Sequence, residues 1–240
     1  MEVIIVDNEE QVAQISAQFV IELIRRKHNA VLGLATGTTP IATYQKLIAA
    51  CRNKDVSFAA VRTFNLDEYL GIDVSDENSF RRFMNEQFFN HIDVAPENTH
   101  LPAGLSANPR AEGRRFETLI THSGGIDLQI LGIGRNGHIG FNEPGSSLAS
   151  RTRIKTLTPQ TRIDNFGAQH PQAPLHAMTM GIGTILDARH VLLLAQGAAK
   201  ARAIANTVEG PITAMCPASA LQQHPRVTVV VDEAAAQLLE

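Results

Sequence analysis

Four stretches of this sequence combine residue types and spacings that could do chemistry. In FNLDEYLG, residues 64–71, Asp67 and Glu68 stand where an apolar run starting at Val61 ends. A carboxylate partly shielded from water at a strand end has its pKa raised far enough to accept and return a proton on carbon; a solvated acidic turn would leave it ordinary. In LGIGRNGHIGFNEPG, residues 131–145, His138 lies among Gly132, Gly134, Gly137 and Gly140, with Asn136, Asn142 and Glu143 close by. Glycines let the backbone turn tightly and approach a ligand, a neutral imidazole takes a proton from a hydroxyl, and Glu143 is placed to orient or charge-balance the ring. The rival reading is a structural histidine in a glycine-rich turn. In LATGTTP, residues 34–40, Thr36, Gly37, Thr38 and Thr39 offer a phosphate backbone N–H groups, hydroxyls and the positive end of a helix dipole. The stretch lacks the spacing and the lysine of a Walker loop. In LAQGAAKA, residues 194–201, Lys200 falls early in a helix, where a compact charge suits a phosphate dianion or is simply solvated.

The elements that must position these groups follow from periodicity. Seven short apolar runs read as strands: Val3 to Val6, Ala30 to Leu34, Val61 to Asn65, Leu128 to Ile133, Ala177 to Met180, Val191 to Ala195 and Val227 to Val231, all apolar enough for burial on both faces. Helical spacing recurs in Glu9 to Arg26, Ile41 to Ala50, Phe80 to Phe89, Pro109 to Thr121 and Lys200 to Val208, with Pro40 as a first helical residue after threonines able to cap. Alternation of the two kinds predicts a single α/β domain over 1–240, a Rossmann-like, mostly parallel sheet with helices on both faces. In such a sheet ligands bind beyond the carboxyl ends of the strands, where all four stretches fall. Thr158 to Leu175, with Pro159, Gly167, Pro171 and Pro174, reads as an irregular connection of the length that is usually functional.

With 240 residues, one core suffices; 44% apolar and 19% charged residues with a net charge of -3 place the chain among ordinary soluble globular proteins. Lys and Arg are scattered apart from Arg151, Arg153 and Lys155, so no basic stripe for nucleic acid is present. The start, MEVIIVDNEEQVAQ, has neither a basic leader nor an apolar span, and no membrane partner is expected. Cys51 and Cys216 make no metal-ligand spacing, and a reducing cytoplasm fits them best.

Taken in order, ATGTTP, TFNLDEYLG, NGHIGFNEP and SRTRIKTL resemble the glucosamine-6-phosphate deaminase family, and the likeness runs from the first strand to HPRVTVVVDE near the end. The resemblance implies an amino-sugar phosphate as substrate, with Asp67 moving a proton between C2 and C1 and His138 opening the pyranose ring beside Glu143 and Asn136. It implies that Thr36 to Thr39 and Lys200 hold the 6-phosphate, that a lid-like segment spans about 151–176, and that no metal or organic cofactor takes part. Homo-oligomers occur in such a family, and nothing in this sequence states their order.

Three features depart from the family pattern. Asn136 stands where many members have aspartate. Asp164, Asn165, Phe166 and Gly167 replace the usual Asn-x-Arg-Phe-Phe, so the arginine that clamps the phosphate is missing, with Arg162 as a candidate substitute. Ser146, Arg153, Lys155 and Thr156 match an allosteric amino-sugar phosphate site of hexameric members, whose C-terminal extension has no counterpart here; a basic surface strand is the plainer reading. The alternatives are a galactosamine 6-phosphate deaminase, a 6-phosphogluconolactonase, which usually has arginine where Tyr69 stands, and a non-catalytic sugar-phosphate sensor.

Overall fold

In the computed structural model, which describes residues 1–166 and 173–240, the strands are β1 (Glu2–Val6), β2 (Val31–Leu34), β3 (Arg62–Asn65), β4 (Asp67–Tyr69), β5 (Thr99–His100), β6 (Leu128–Leu131), β7 (Arg153–Thr156), β8 (His176–Thr179), β9 (Val191–Ala195) and β10 (Val227–Asp232). The helices are α1 (Glu9–Arg26), α2 (Ile41–Arg52), α3 (Phe80–Gln87), α4 (Pro109–His122), α5 (Pro159–Phe166), α6 (Ile182–Leu186), α7 (Ala201–Val208) and α8 (Glu233–Ala236). The bounds of α1 match those read from the sequence because both ends carry local signals. Asn8 accepts a hydrogen bond from the Gln11 backbone N–H, Glu9 and Glu10 face the positive end of the helix dipole, and Arg25 and Arg26 face the negative end. Such a cap contributes about 1 kcal/mol.

The main sheet has seven strands in the order β1-β10-β9-β6-β2-β3-β5, all parallel. Side chains alternate across it. Leu32, Leu34, Ile130 and Leu192 meet Val12, Val20, Tyr44 and Leu47 of α1 and α2 on one face; Val31, Leu131, Val191 and Leu193 meet Phe116, Ile185 and Ile204 of α4, α6 and α7 on the other. Helices on both faces of a mostly parallel sheet are therefore borne out.

Six of the seven expected strands stand in this sheet. The seventh, expected over Ala177 to Met180, lies instead at the centre of a separate three-stranded antiparallel sheet, β4-β8-β7, and its place in the main sheet is taken by the two-residue edge strand β5. Burial on both faces also fails at β1, an edge strand whose Ile5 is 52% exposed. Pro40 holds the position before the first helical residue and no side chain caps α2, because Pro40 already has helical backbone angles and the threonines precede it in the turn. The expected irregular connection contains α5, whose first turn is capped by Thr158: its Oγ1 accepts from the Thr161 N–H at 3.1 Å. Of the lid-like span, residues 167–172 lie outside the described residues. No described helix is long and apolar enough to cross a membrane.

The β2–β6 contact at the middle of the sheet depends on Gly33. A Cβ there would overlap the amide of Gln129, a wholly buried side chain whose Nε2 donates to the Ile130 carbonyl. Gly33→Ala is expected to destabilise the fold by about 2 kcal/mol or more by overpacking, read as a lower urea midpoint with an unchanged slope.

Candidate active site

The sheet order reverses between β2 and β6. From β2 the chain crosses to β3 on one side; β6 is followed across the sheet by β9 on the other. Loops leaving two such strands diverge and open a crevice at their carboxyl ends. The loop after β2 is Thr36 to Thr39, the loop after β6 carries His138, the residue two beyond the end of β3 is Asp67, and Lys200 follows β9. The four stretches singled out by residue type thus converge on one edge of the sheet.

Asp67 sits where the chain leaves one sheet for the other. The Leu66 N–H still bonds the Leu34 carbonyl of β2, and one residue later Asp67 opens β4, paired with Thr179 of β8. The solvated-turn alternative is overturned: Asp67 is 5% and Glu68 3% exposed. Burial, helped by the neighbouring Glu68 charge, pushes the Asp67 carboxyl up to about 8, against a weak pull from Thr179, whose Oγ1 lies 3.5 Å from Oδ2. Glu68 turns the other way and accepts from the Tyr69, Phe80 and Arg81 N–H groups and the Ser79 hydroxyl. It fastens the start of α3, leaving Asp67 as the carboxyl not consumed by structure.

The glycine-rich loop brings His138 to the same place. A Cβ at Gly140 would lie 3.4 Å from Asp67 Oδ2 and 2.8 Å from Thr179 Oγ1, so the backbone two residues past His138 runs against the Asp67 carboxyl. Gly134 leaves room for the ring: a Cβ there would overlap the imidazole. His138 Nδ1 is 2.7 Å from Asn136 Oδ1 and 3.5 Å from Glu143 Oε2, and Asn136 Nδ2 donates to Glu143 Oε2 at 2.8 Å.

These contacts settle where the ring proton sits. Burial raises the Glu143 carboxyl, but His138, Thr161 and Asn136 overcome that and hold it at about 2; it is ionised and only accepts. Asn136 must therefore point its NH2 at Glu143 and its oxygen at His138. That oxygen accepts too, so Nδ1 carries a hydrogen and Nε2 is the nitrogen left to exchange a proton with a ligand. An asparagine at 136 donates to Glu143 and accepts from His138 at once, which an ionised aspartate could not do.

The Thr36 to Thr39 loop is half-buried at its ends and exposed at Gly37 and Thr38. Gly37 has φ +95°, a left-handed conformation that favours glycine, and the buried Tyr44 hydroxyl donates to the Ala35 carbonyl at 2.6 Å to fix its base. Lys200 ends a single 3-10 turn, one residue short of α7, so it precedes the helix in which the sequence placed it. Its Nζ donates to the Ile133 carbonyl at 2.7 Å, which ties it to the crevice between β6 and β9.

Sequence reasoning missed Asp232. At the end of β10 both its carboxylate oxygens accept from the Gly197 N–H, at 3.0 and 2.9 Å, and Oδ1 caps α8 through Ala235. Asp232 thereby holds the turn that presents Lys200; its only sequence signal was an acidic pair after an apolar run. Asp232→Ala is expected to lower stability by about 1–2 kcal/mol through the lost cap and to raise KM for a phosphorylated substrate more than it lowers kcat, as steady-state kinetics would show.

The four residues matched to an allosteric site differ in exposure. Strand alternation turns Arg153 and Lys155 inward, half-buried, and Thr156 outward, where its hydroxyl lies 3.4 Å from His176 Nδ1; Ser146 is buried. Arg151 is paired with Glu117 and Asp187. Arg162 donates from Nη2 to the Ala173 carbonyl at 2.9 Å. Of the residues that replace the family's arginine segment, Asp164, Asn165 and Phe166 end α5, and Gly167 lies outside the described residues. Among the described residues no group of three or more His, Cys, Asp or Glu side chains is placed to hold a metal ion.

A parallel α/β sheet whose switch-point crevice collects a buried carboxyl, an imidazole with an open Nε2, a Gly/Thr loop and a lysine defines an enzyme-like site of the phosphosugar type. The chain belongs to the glucosamine-6-phosphate isomerase/6-phosphogluconolactonase family, whose model matches residues 7–230. It is 59% identical to a glucosamine-6-phosphate deaminase of Hahella chejuensis, covering 100% of this chain and 92% of that one, and 56% identical to that of Colwellia psychrerythraea, covering 100% and 91%. A solved structure described as a monomeric glucosamine-6-phosphate deaminase superposes with a TM-score of 0.95 at 46% identity, covering 99% of this chain and 100% of that chain. A 6-phosphogluconolactonase from Trypanosoma cruzi, with a TM-score of 0.79 at 19% identity, shares the fold.

Proposed function

We propose that the chain converts glucosamine 6-phosphate and water to fructose 6-phosphate and ammonium. The carrying observation is the pairing of a buried Asp67 carboxyl with an imidazole whose Nε2 faces outward from the Asn136–Glu143 network. In this reading Nε2 of His138 takes the proton of the O1 hydroxyl as the C1–O5 bond breaks, and the imidazolium returns it to O5, leaving an open-chain aldehyde. Glu143 balances the transient positive charge and Asn136 keeps the tautomer.

The open chain then offers its C2 proton to ionised Asp67. The electron pair forms a C1–C2 double bond, and the resulting O1 enolate takes a proton from the substrate's own C2 ammonium to give an enol bearing a neutral amine. Asp67 hands the proton to C1, the nitrogen is left as an imine at C2, and water adding there releases ammonia and leaves the ketone. One carboxylate on one face reaches both adjacent carbons, so a single residue serves both transfers. Thr36, Gly37, Thr38, Thr39 and Lys200 bind the 6-phosphate, using backbone N–H groups, hydroxyls and one ammonium. Every group named in this scheme comes from one chain. A small amino-sugar phosphate, produced and consumed in the cytoplasm, is the partner.

The test is direct: the purified protein is incubated with glucosamine 6-phosphate, and ammonium and fructose 6-phosphate are measured in equal amounts. Absence of both would falsify the proposal, and preference for the C4 epimer, galactosamine 6-phosphate, would reassign the substrate while keeping the chemistry.

A further inference from the structure

We infer that Thr161 is a positioning residue for ring opening, its hydroxyl holding the Glu143 carboxylate in the plane that faces the His138 imidazole. The inference rests on the deaminase reading for what the imidazole does, and on geometry for the rest. Glu143 has donors on both oxygens. Oε2 is held from within its own loop, by Asn136 Nδ2 at 2.8 Å with His138 Nδ1 3.5 Å away. Oε1 is held from outside the loop, by Thr161 Oγ1 at 2.6 Å.

The direction of that bond is fixed. An ionised carboxylate only accepts, so the single hydroxyl hydrogen of Thr161 points at Oε1. The contact between the Thr158 and Thr161 hydroxyls, at 2.8 Å, must then run from Thr158 to Thr161. Thr158 Oγ1 in turn accepts from the Thr161 N–H at 3.1 Å, the bond that caps α5. The result is a one-way chain in which the cap of α5, the Thr161 hydroxyl, the carboxylate and the imidazole are each oriented by the one before.

A carboxylate anchored at one oxygen rotates about its terminal bond; anchored at both, it keeps its plane. With 9% of its side chain exposed, Glu143 has little water to replace a lost donor. The consequence falls on charge developing at His138 during ring opening and leaves the phosphate contacts alone, so kcat and not substrate affinity should register it.

The isosteric Thr161→Val removes only the hydroxyl, and Thr161→Ser restores it. Thr161→Val is expected to lower kcat about tenfold or more while the Kd of an open-chain analogue, 2-amino-2-deoxyglucitol 6-phosphate, changes less than about twofold; Thr161→Ser should stay within about threefold of the parent in kcat. The His138 Nδ1 proton, followed by NMR at neutral pH, should be sharp in the parent and in Thr161→Ser and broadened in Thr161→Val. An unchanged kcat in Thr161→Val, a parallel loss of analogue affinity, or equal impairment of Thr161→Ser would overturn the inference. If the parent itself releases no ammonium, the deaminase reading fails; the Nδ1 signal still decides whether Thr161 orders the ring, an unaltered signal in Thr161→Val sinking that too.

Discussion

Asp67→Asn is expected to lower turnover of glucosamine 6-phosphate about 1,000-fold, within the range that a positioned acid/base contributes, and to stop exchange of the C2 hydrogen with deuterium oxide. Asparagine keeps the shape and the strand pairing with Thr179 but cannot take a proton from carbon. With burial holding the carboxyl at about 8, the parent's kcat/KM should rise with pH until about 8 and then level, since only the ionised form accepts the C2 proton. A profile flat from pH 6 to 9 would remove Asp67 from the role of base.

The same group sets a stability signature of opposite sign. Its folded pKa of about 8 lies above the ordinary 3.8, so the folded state binds the proton more tightly than the unfolded chain does. The associated stability is fully present below 3.8 and is lost as pH rises through 8. Asp67→Asn removes that dependence and should be more stable than the parent by roughly 2–4 kcal/mol at pH 9, with the difference shrinking toward pH 4. A variant that loses activity while gaining alkaline stability would mark a carboxyl held in an unfavourable setting for its chemistry.

The second large effect is expected from Gly134→Ala. The added methyl would occupy the space of the His138 imidazole, and the ring cannot retreat without giving up the 2.7 Å contact between Nδ1 and Asn136 Oδ1. A displacement on the order of 1 Å should reduce kcat about 100-fold. Gly134 also donates its N–H to the His138 carbonyl at 2.9 Å, so its backbone is already committed and cannot swing away. The loss should fall on ring opening. Binding of the open-chain analogue and the pH limb assigned to Asp67 should both persist; disappearance of that limb would show that the two sites are not separable.

Much of this architecture was legible from neighbouring residues. The glycines, Asn136, His138 and Glu143 fall within a dozen positions, and side chains so close in sequence reach one another once the turn forms, so a local network could be read locally. Helix α1 was legible for the same reason, with its apolar stripe, Asn8 cap and terminal charges all inside one segment. Strand β4 was not, and β7 was legible only as a basic surface strand with no partner assigned. Asp67–Tyr69 is three residues with two carboxyls, and Arg153–Thr156 is mostly polar; each takes its place in a sheet only because β8 runs between them, more than 100 residues from β4 and about 20 from β7. The same pairing drew Ala177 to Met180 out of the main sheet.

By itself the sequence determined which chemical groups exist, their order along the chain and the alternation of strand and helix that places them all after strands. These depend on residue type and on spacing over one or two turns. Only the tertiary structure decided that Asp67 is buried and Glu68 spent on capping α3, that Nε2 is the open nitrogen of His138, that Asp232 braces the Lys200 turn and that Thr161 meets Glu143. Each is a matter of dehydration or hydrogen-bond direction imposed by partners distant in sequence. A carboxyl acquires a pKa of about 8 from the residues that exclude water around it, and those are chosen by the packing of two sheets.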